Sequence, residues 1–142
     1  MHSGALLAAM LALLAGCSTF FLDPLEQMRG ANKRNLERVS VGHTRLEVES
    51  IMGNERAGGG LPEVVLGRVQ HLQAKNPMRE EDVRGADGID YGVLFYYTDL
   101  RTKDDKITDD ELTPVVLRDG KVVGVGYVFL GQLAPRYRGL AP

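Results

Sequence analysis

Val41-Gly42-His43-Thr44-Arg45-Leu46-Glu47-Val48-Glu49-Ser50-Ile51-Met52-Gly53 is a short helix with both of its ends written into the sequence. Thr44 is the N-cap, and Glu47, three residues on, completes a capping box. The threonine oxygen takes an amide proton of the first turn, and the glutamate reaches back to the cap amide. Leu46, Val48, Ile51 and Met52 form one broad apolar face, and Gly53 suits the left-handed position just past the end. A helix of about two turns is unstable alone, so it must pack on something.

The segments on either side say what it packs on. Upstream, Asp23-Pro24-Leu25-Glu26 starts another helix: Asp23 caps, Pro24 needs no amide donor at the first position, and Glu26 sits where a capping box requires it. Leu25, Met28, Leu36 and Val39 give it a partial apolar stripe, so a helix is expected over about 24–38. Downstream, Ile89 to Leu100 is rich in β-branched and aromatic residues. A period of two puts Tyr91, Val93, Phe95 and Tyr97 on one face, and Leu94, Tyr96 and Thr98 on the other. Leu112–Arg118 and Lys121–Leu130 flank Asp119-Gly120, a strong hairpin signal. Val123, Val125, Tyr127 and Phe129 would share a face there. Gly124 and Gly126, opposite, mark a bulge or a close approach. Pro114 places the start of its strand at an edge.

Between the helices and the strands the pattern is weaker. Ala57-Gly58-Gly59-Gly60 is a flexible stretch but not a phosphate loop, because no Gly-Lys-Ser/Thr follows. Val65, Leu66, Val69 and Leu72 fit a weak helix over 63–75, although Val64-Val65-Leu66 could equally start a strand. Asn76-Pro77 ends it. Met78 to Asp87 reads as an exposed loop, and 131–142 as a loosely ordered tail. The expected architecture is α+β: two N-terminal helices on one face of a small, about three-stranded antiparallel sheet.

The chain has 142 residues, enough for one domain, here 23–130. Residues 1–22 contain no Lys, Arg, Asp or Glu; all 17 basic and 19 acidic residues fall after them. The apolar run Gly4–Gly16 reads as a secretory signal ending in small residues. Leu14-Ala15-Gly16-Cys17 looks like a bacterial lipobox, cut before Cys17, which then carries lipid; it is the one cysteine of the chain. On this reading residues 1–16 are the signal peptide and 17–22 the lipidated linker. The expected location is the inner leaflet of the outer membrane, facing the periplasm, as Ser18 rather than Asp follows the cysteine. Only Met1, His2 and Ser3 precede the run, so a lost basic n-region, or a retained membrane helix over residues 4–22, remain alternatives. Nineteen residues approach the roughly 20 that span a bilayer. Each version tethers the domain to a membrane.

Gly42-x-Thr44-x-x-Glu47-Val48-x-x-Ile51-x-Gly53 resembles the signature of the SmpA/OmlA (BamE-like) small outer-membrane lipoproteins. Val93-Leu94-Phe95-Tyr96-Tyr97-x-Asp99, Thr108-x-Asp110-Glu111-Leu112-Thr113-Pro114-Val115-Val116 and Asp119-Gly120-x-Val122-Val123-Gly124-x-Gly126 look closer to a related group of uncharacterised bacterial lipoproteins. The residues of the first motif cap, pack and turn; they form a fold signature rather than a catalytic one. The resemblance implies two helices on a three-stranded sheet and a scaffold or partner-binding role in the periplasm, beside outer-membrane protein assembly or envelope integrity.

Little in the chain points to catalysis. There is no His-x-x-x-His pair and no Gly-x-Ser-x-Gly elbow. His43 reads as a surface turn residue, and His71 similarly. One cysteine excludes a disulfide framework or a cysteine-cluster metal site. A net charge of −2 gives no reason to expect a nucleic-acid partner. Asp104, Asp105, Asp109, Asp110 and Glu111 lack the glycine of a calcium loop and read as a solvated loop. No cofactor, metal or catalytic residue is therefore expected beyond the lipid on Cys17. Arg29, Lys33, Arg34 and Arg38 make the first helix basic close to the membrane and are candidates for contact with anionic head groups. Tyr91, Tyr96, Tyr97 and Tyr127 are candidates for an aromatic docking patch. The sum is a non-enzymatic, membrane-anchored protein-interaction module of the envelope; a binder of a small ligand or peptidoglycan fragment is the alternative.

Overall fold

The computed structural model describes residues 23–58, 73–104 and 106–140. The first helix, α1, spans Pro24–Leu36, and Asp23 caps it by accepting from the Leu25 amide at 2.9 Å. Glu26, spaced for a capping box, instead pairs with Arg29 at 3.5 Å, since Asp23 takes the amide of Leu25 rather than that of Glu26. The second helix, α2, spans Arg45–Met52. Its capping box is formed from both sides, with Glu47 Oε2 2.7 Å from the Thr44 amide, and Gly53 follows at φ 74°.

Two antiparallel sheets are present among the described residues. A ribbon pairs β1 (Arg56–Gly58) with β2 (Gln73–Lys75). The main sheet has the order β3 (Arg79–Arg84), β4 (Asp90–Tyr97), β5 (Leu112–Arg118) and β6 (Lys121–Val125). Asp119 (φ 51°) and Gly120 (φ 75°) make the tight turn between the last two, as their identities predict.

The sheet therefore has four strands rather than three. The extra one, β3, is Arg-Glu-Glu-Asp-Val-Arg, in a stretch whose charge suggested a loop. It is an edge strand with Val83 as its buried residue, and charged side chains are what keep such an edge from pairing with other chains. Gln73–Lys75 is likewise strand where the expected helix over 63–75 would end; the remainder of that helix lies outside the described residues.

The third strand of the expected set also stops early. At Gly126 (φ 90°) the chain leaves the sheet and enters α3, Tyr127–Leu133, followed by a 3-10 turn over Pro135–Leu140. Tyr127 and Phe129 thus do not continue the face of Val123 and Val125. The close approach foreseen at Gly124 is real, because a Cβ there would overlap the Phe129 ring. The tail expected to be loose is packed: Tyr137 is buried, and the Ala86 amide donates to the Leu133 carbonyl at 2.8 Å.

Pro114 sits in a central strand, not at a sheet edge. Its carbonyl accepts from Gly126, so its missing donor faces the level at which β6 has already left the sheet. The ladder with β4 loses nothing.

Both faces of the sheet are covered, so the two N-terminal helices do not simply share one. On one face Val48 and Met52 of α2, with Val39, pack on Leu94, Tyr96, Val115, Leu117 and Val122. On the other, Leu25 and Met28 of α1, Ala57 and Ala74 of the ribbon, and Tyr127, Leu130 and Tyr137 pack on Tyr91, Val93, Phe95, Tyr97 and Val116. Leu36, near the end of α1, joins the α2 cluster, so this helix passes across the end of β4. Burial on both sides explains why Val93–Tyr97 is an unbroken apolar run rather than an alternating one.

Candidate interaction surfaces

The four tyrosines proposed for docking are core residues. Tyr91, Tyr96, Tyr97 and Tyr127 are each no more than 5% exposed. Alternation divided the β4 tyrosines correctly between two faces, but a helix or the C-terminal segment covers each face. Phe95, Tyr127 and Tyr137 form a triangle with ring centroids 6.3–6.4 Å apart. The Tyr127 hydroxyl donates to the Asp109 carbonyl at 2.7 Å, and that of Tyr137 to Glu81. Tyr91 donates to the Asp87 carboxylate at 2.7 Å. The Tyr96 hydroxyl is buried with no hydrogen-bond partner among the described residues.

The motif at 42–53 does structural work. Gly42 (φ 92°) donates to the Val122 carbonyl at 2.8 Å, Val122 donates to the His43 carbonyl, and Arg45 donates to Gly120. The turn before α2 thereby bridges to β6, with Thr44 opposite Lys121. Val48 is fully buried and Ile51 partly so. Hydrogen bonds from Thr44, the backbone amide first and then the hydroxyl, hold the Glu47 carboxyl below its ordinary pKa. His43 is a turn residue, its Nδ1 accepting from the Ser40 amide at 3.2 Å.

The basic residues of α1 do not make one face. Helical rotation of about 100° per residue separates Lys33 from Arg34. Arg29 and Arg34 line a groove between α1 and the ribbon, with Glu26, Glu55, Arg56 and Ala57. Lys33 lines a different groove on the other side of the helix, and Arg38 lies beyond the helix end. Arg56, which the sequence alone did not single out, joins the first groove because the ribbon folds beside α1.

The second groove, of about 510 Å³, is the more apolar. Leu36, Leu112, Val125, Val128 and Leu140 line it, with Lys33, Glu37, Arg101 and Asp110 around them. Val128 is 64% exposed. Its position follows from the early end of β6, which turns Val128 outward on α3; no periodicity read as a strand could have placed it. Val41 is also exposed, at 71%, and so is Leu46, at 77%. Leu46 does not belong to the apolar face of Val48, Ile51 and Met52 to which the sequence assigned it, because a helical rotation of about 200° separates it from Val48.

The acidic cluster is only partly a solvated loop. Glu111 is 1% exposed, and its carboxylate accepts from the amides of Arg101 (2.7 Å), Thr102 (3.3 Å) and Thr108 (3.0 Å). It organises the β4–β5 connection from inside. Asp109 is bound by Arg79 at 2.7 Å, and that guanidinium lies 4.3 Å from the Phe95 ring centroid. No cluster of three potential metal ligands occurs among the described residues. Cys17, the cleavage motif Leu14-Ala15-Gly16, His71 and Asp105 lie outside them.

Residues 64–131 match the model of a family described as "Protein of unknown function (DUF3192)". That span covers a little under half of the chain. It takes in the four-stranded sheet and the start of α3, and excludes α1 and α2. No curated protein and no solved structure matches the chain.

Proposed function

We propose that the protein is a membrane-anchored lipoprotein of the bacterial envelope whose domain acts through protein contacts rather than catalysis. The observation that carries this reading is Leu14-Ala15-Gly16-Cys17, which places the single cysteine six residues ahead of the Asp23 cap of α1. The lipid on Cys17 anchors the chain, and the domain begins almost at the membrane. Kinship with the SmpA/OmlA (BamE-like) lipoproteins is part of the proposal. In favour of it, Gly42, Thr44, Glu47, Val48 and Gly53 fill turn, cap and core positions in the motif. A role beside outer-membrane protein assembly or envelope integrity follows from that kinship. The groove bearing Val125 and Val128 is the contact surface assigned to a protein partner, since exposed aliphatics framed by charges suit a protein interface.

The test begins with intact mass and palmitate incorporation of the full-length protein and of Cys17→Ala. Acylation lost in the variant supports the anchor; an unmodified wild-type cysteine overturns it. The wild-type protein is then recovered in mild detergent beside Val128→Asp. A stoichiometric partner present with wild type and absent with Val128→Asp supports the docking groove. Recovery of nothing, or of a partner indifferent to the substitution, overturns it.

A further inference from the structure

The ribbon carries a charge arrangement that works against its own stability. Arg56 stands directly opposite Lys75 across the two strands. The neighbouring pair, Ala57 and Ala74, is buried against the main sheet, so Arg56 and Lys75 share the outer face, where both are exposed. Like charges placed opposite each other destabilise a ribbon. Among the described residues neither cation makes an ion pair, and neither does Arg34, which lines the same groove as Arg56. Of the groove's carboxylates, Glu26 is held by Arg29, leaving Glu55. Positive charge without a counter-charge among the described residues thus gathers from α1, β1 and β2, in a chain whose net charge is −2.

The place of this cluster matters as much as its sign. Pro24, the first residue of α1, lines the same groove. Asp23 is the sixth residue after Cys17, a reach of ~20 Å fully extended. A lipid on Cys17 would hold the Pro24 end of the groove within that distance of the bilayer and make docking an intramolecular event at high effective concentration.

We infer that the face formed by Arg34, Arg56 and Lys75 docks on the anionic phospholipid surface to which Cys17 is tethered, fixing the orientation of the domain on the membrane. This rests on the lipoprotein reading. Head-group phosphates supply the counter-charge that offsets the repulsion within the like-charged pair.

The experiment uses the full chain in vesicles of phosphatidylcholine alone, or with about a quarter phosphatidylglycerol. An environment-sensitive thiol dye is placed at exposed Asn54 through Asn54→Cys. With Cys17 acylated, only the introduced thiol reacts. A second dye per chain shows that the lipoprotein reading itself has failed, separately from the docking. The expected result is a membrane-proximal dye on anionic vesicles only, released near 1 M salt, where the Debye length is ~3 Å. Each cation removed should weaken docking about fivefold, so Arg56→Gln with Lys75→Gln should lower the docking constant about 25-fold. The same variant should keep or raise its Tm, because repulsion within the ribbon is relieved. That outcome separates a lipid contact from a structural role. A dye signal equal on neutral and anionic vesicles, or unaltered by the double substitution, would overturn the inference.

Discussion

Asn32 on α1 and Asn76 just after β2 face each other as a closed amide pair. Each donates to the other, at 2.9 and 2.7 Å. The remaining donor protons go to backbone carbonyls, Asn32 to Tyr97 at the end of β4 and Asn76 to Met52 at the end of α2. Four elements therefore meet at two side chains, both buried. Replacing one leaves the partner's amide and a carbonyl unpaired, and each buried orphan costs about 1–3 kcal/mol. Asn32→Ala should destabilise the domain by about 2–3 kcal/mol in urea. The double variant with Asn76→Ala should lose less than the sum of the single losses.

Tyr96 is the reverse case. Its hydroxyl is buried and has no partner among the described residues, so the fold already bears the cost of desolvating it. Tyr96→Phe should leave stability unchanged or raise it by up to about 1 kcal/mol. Tyr127→Phe deletes the bond to the Asp109 carbonyl and should cost about 1 kcal/mol. Thermal unfolding of the two variants side by side checks the contrast.

All five tyrosines ionise above their usual range. Burial is the main cause at Tyr96, Tyr127, Tyr97 and Tyr137, and the hydrogen bond to the Asp87 carboxylate at Tyr91. Their folded pKa values exceed the unfolded value of 10.0, so the neutral rings favour folding below that pH. That stability is lost as pH rises past it, because the unfolded chain ionises first. Absorbance at the tyrosinate band should stay flat up to about pH 10 and then rise together with loss of circular dichroism. Separate ionisation of tyrosines in a still-folded chain would contradict this.

Acid should act elsewhere. Thr44 lowers the Glu47 carboxyl, and the Tyr91 hydroxyl and Ile89 amide lower that of Asp87. Depressed carboxyl values mean that the stability they bring is present above the unfolded values of 4.5 and 3.8 and lost as pH falls below them. Glu47→Gln should flatten the fall in Tm on the acid side without altering the alkaline limb.

Gly92 and Gly124 should respond oppositely to alanine. A Cβ at Gly92 meets nothing within 4 Å, and one at Gly124 overlaps the Phe129 ring. Gly92→Ala should stabilise the sheet by about 0.5–1 kcal/mol by restricting the unfolded chain. Gly124→Ala should cost about 1–3 kcal/mol by forcing α3 off β6. Chemical denaturation of both variants measures the difference.

Local chemistry determined the parts of this protein that need few distant partners. Thr44 with Glu47, Asp23 with Pro24, and Asp119-Gly120 specify two helix starts and a hairpin, because a cap or a tight turn is satisfied within about four residues. The split of β4 into two faces followed from the period of a strand. Tertiary structure decided what depends on neighbours. Arg79–Arg84 is a strand because β4 offers it a ladder, whatever its charge. Tyr127 leaves the strand pattern because Gly126 turns the chain and the aromatic triangle with Phe95 and Tyr137 receives its ring. The tyrosines are core because helices cover both faces of the sheet. Arg56 meets Arg34 only when the ribbon folds against α1. Burial and charge proximity are properties of three-dimensional neighbours, and a periodicity along one segment contains no information about which other segment will lie across it.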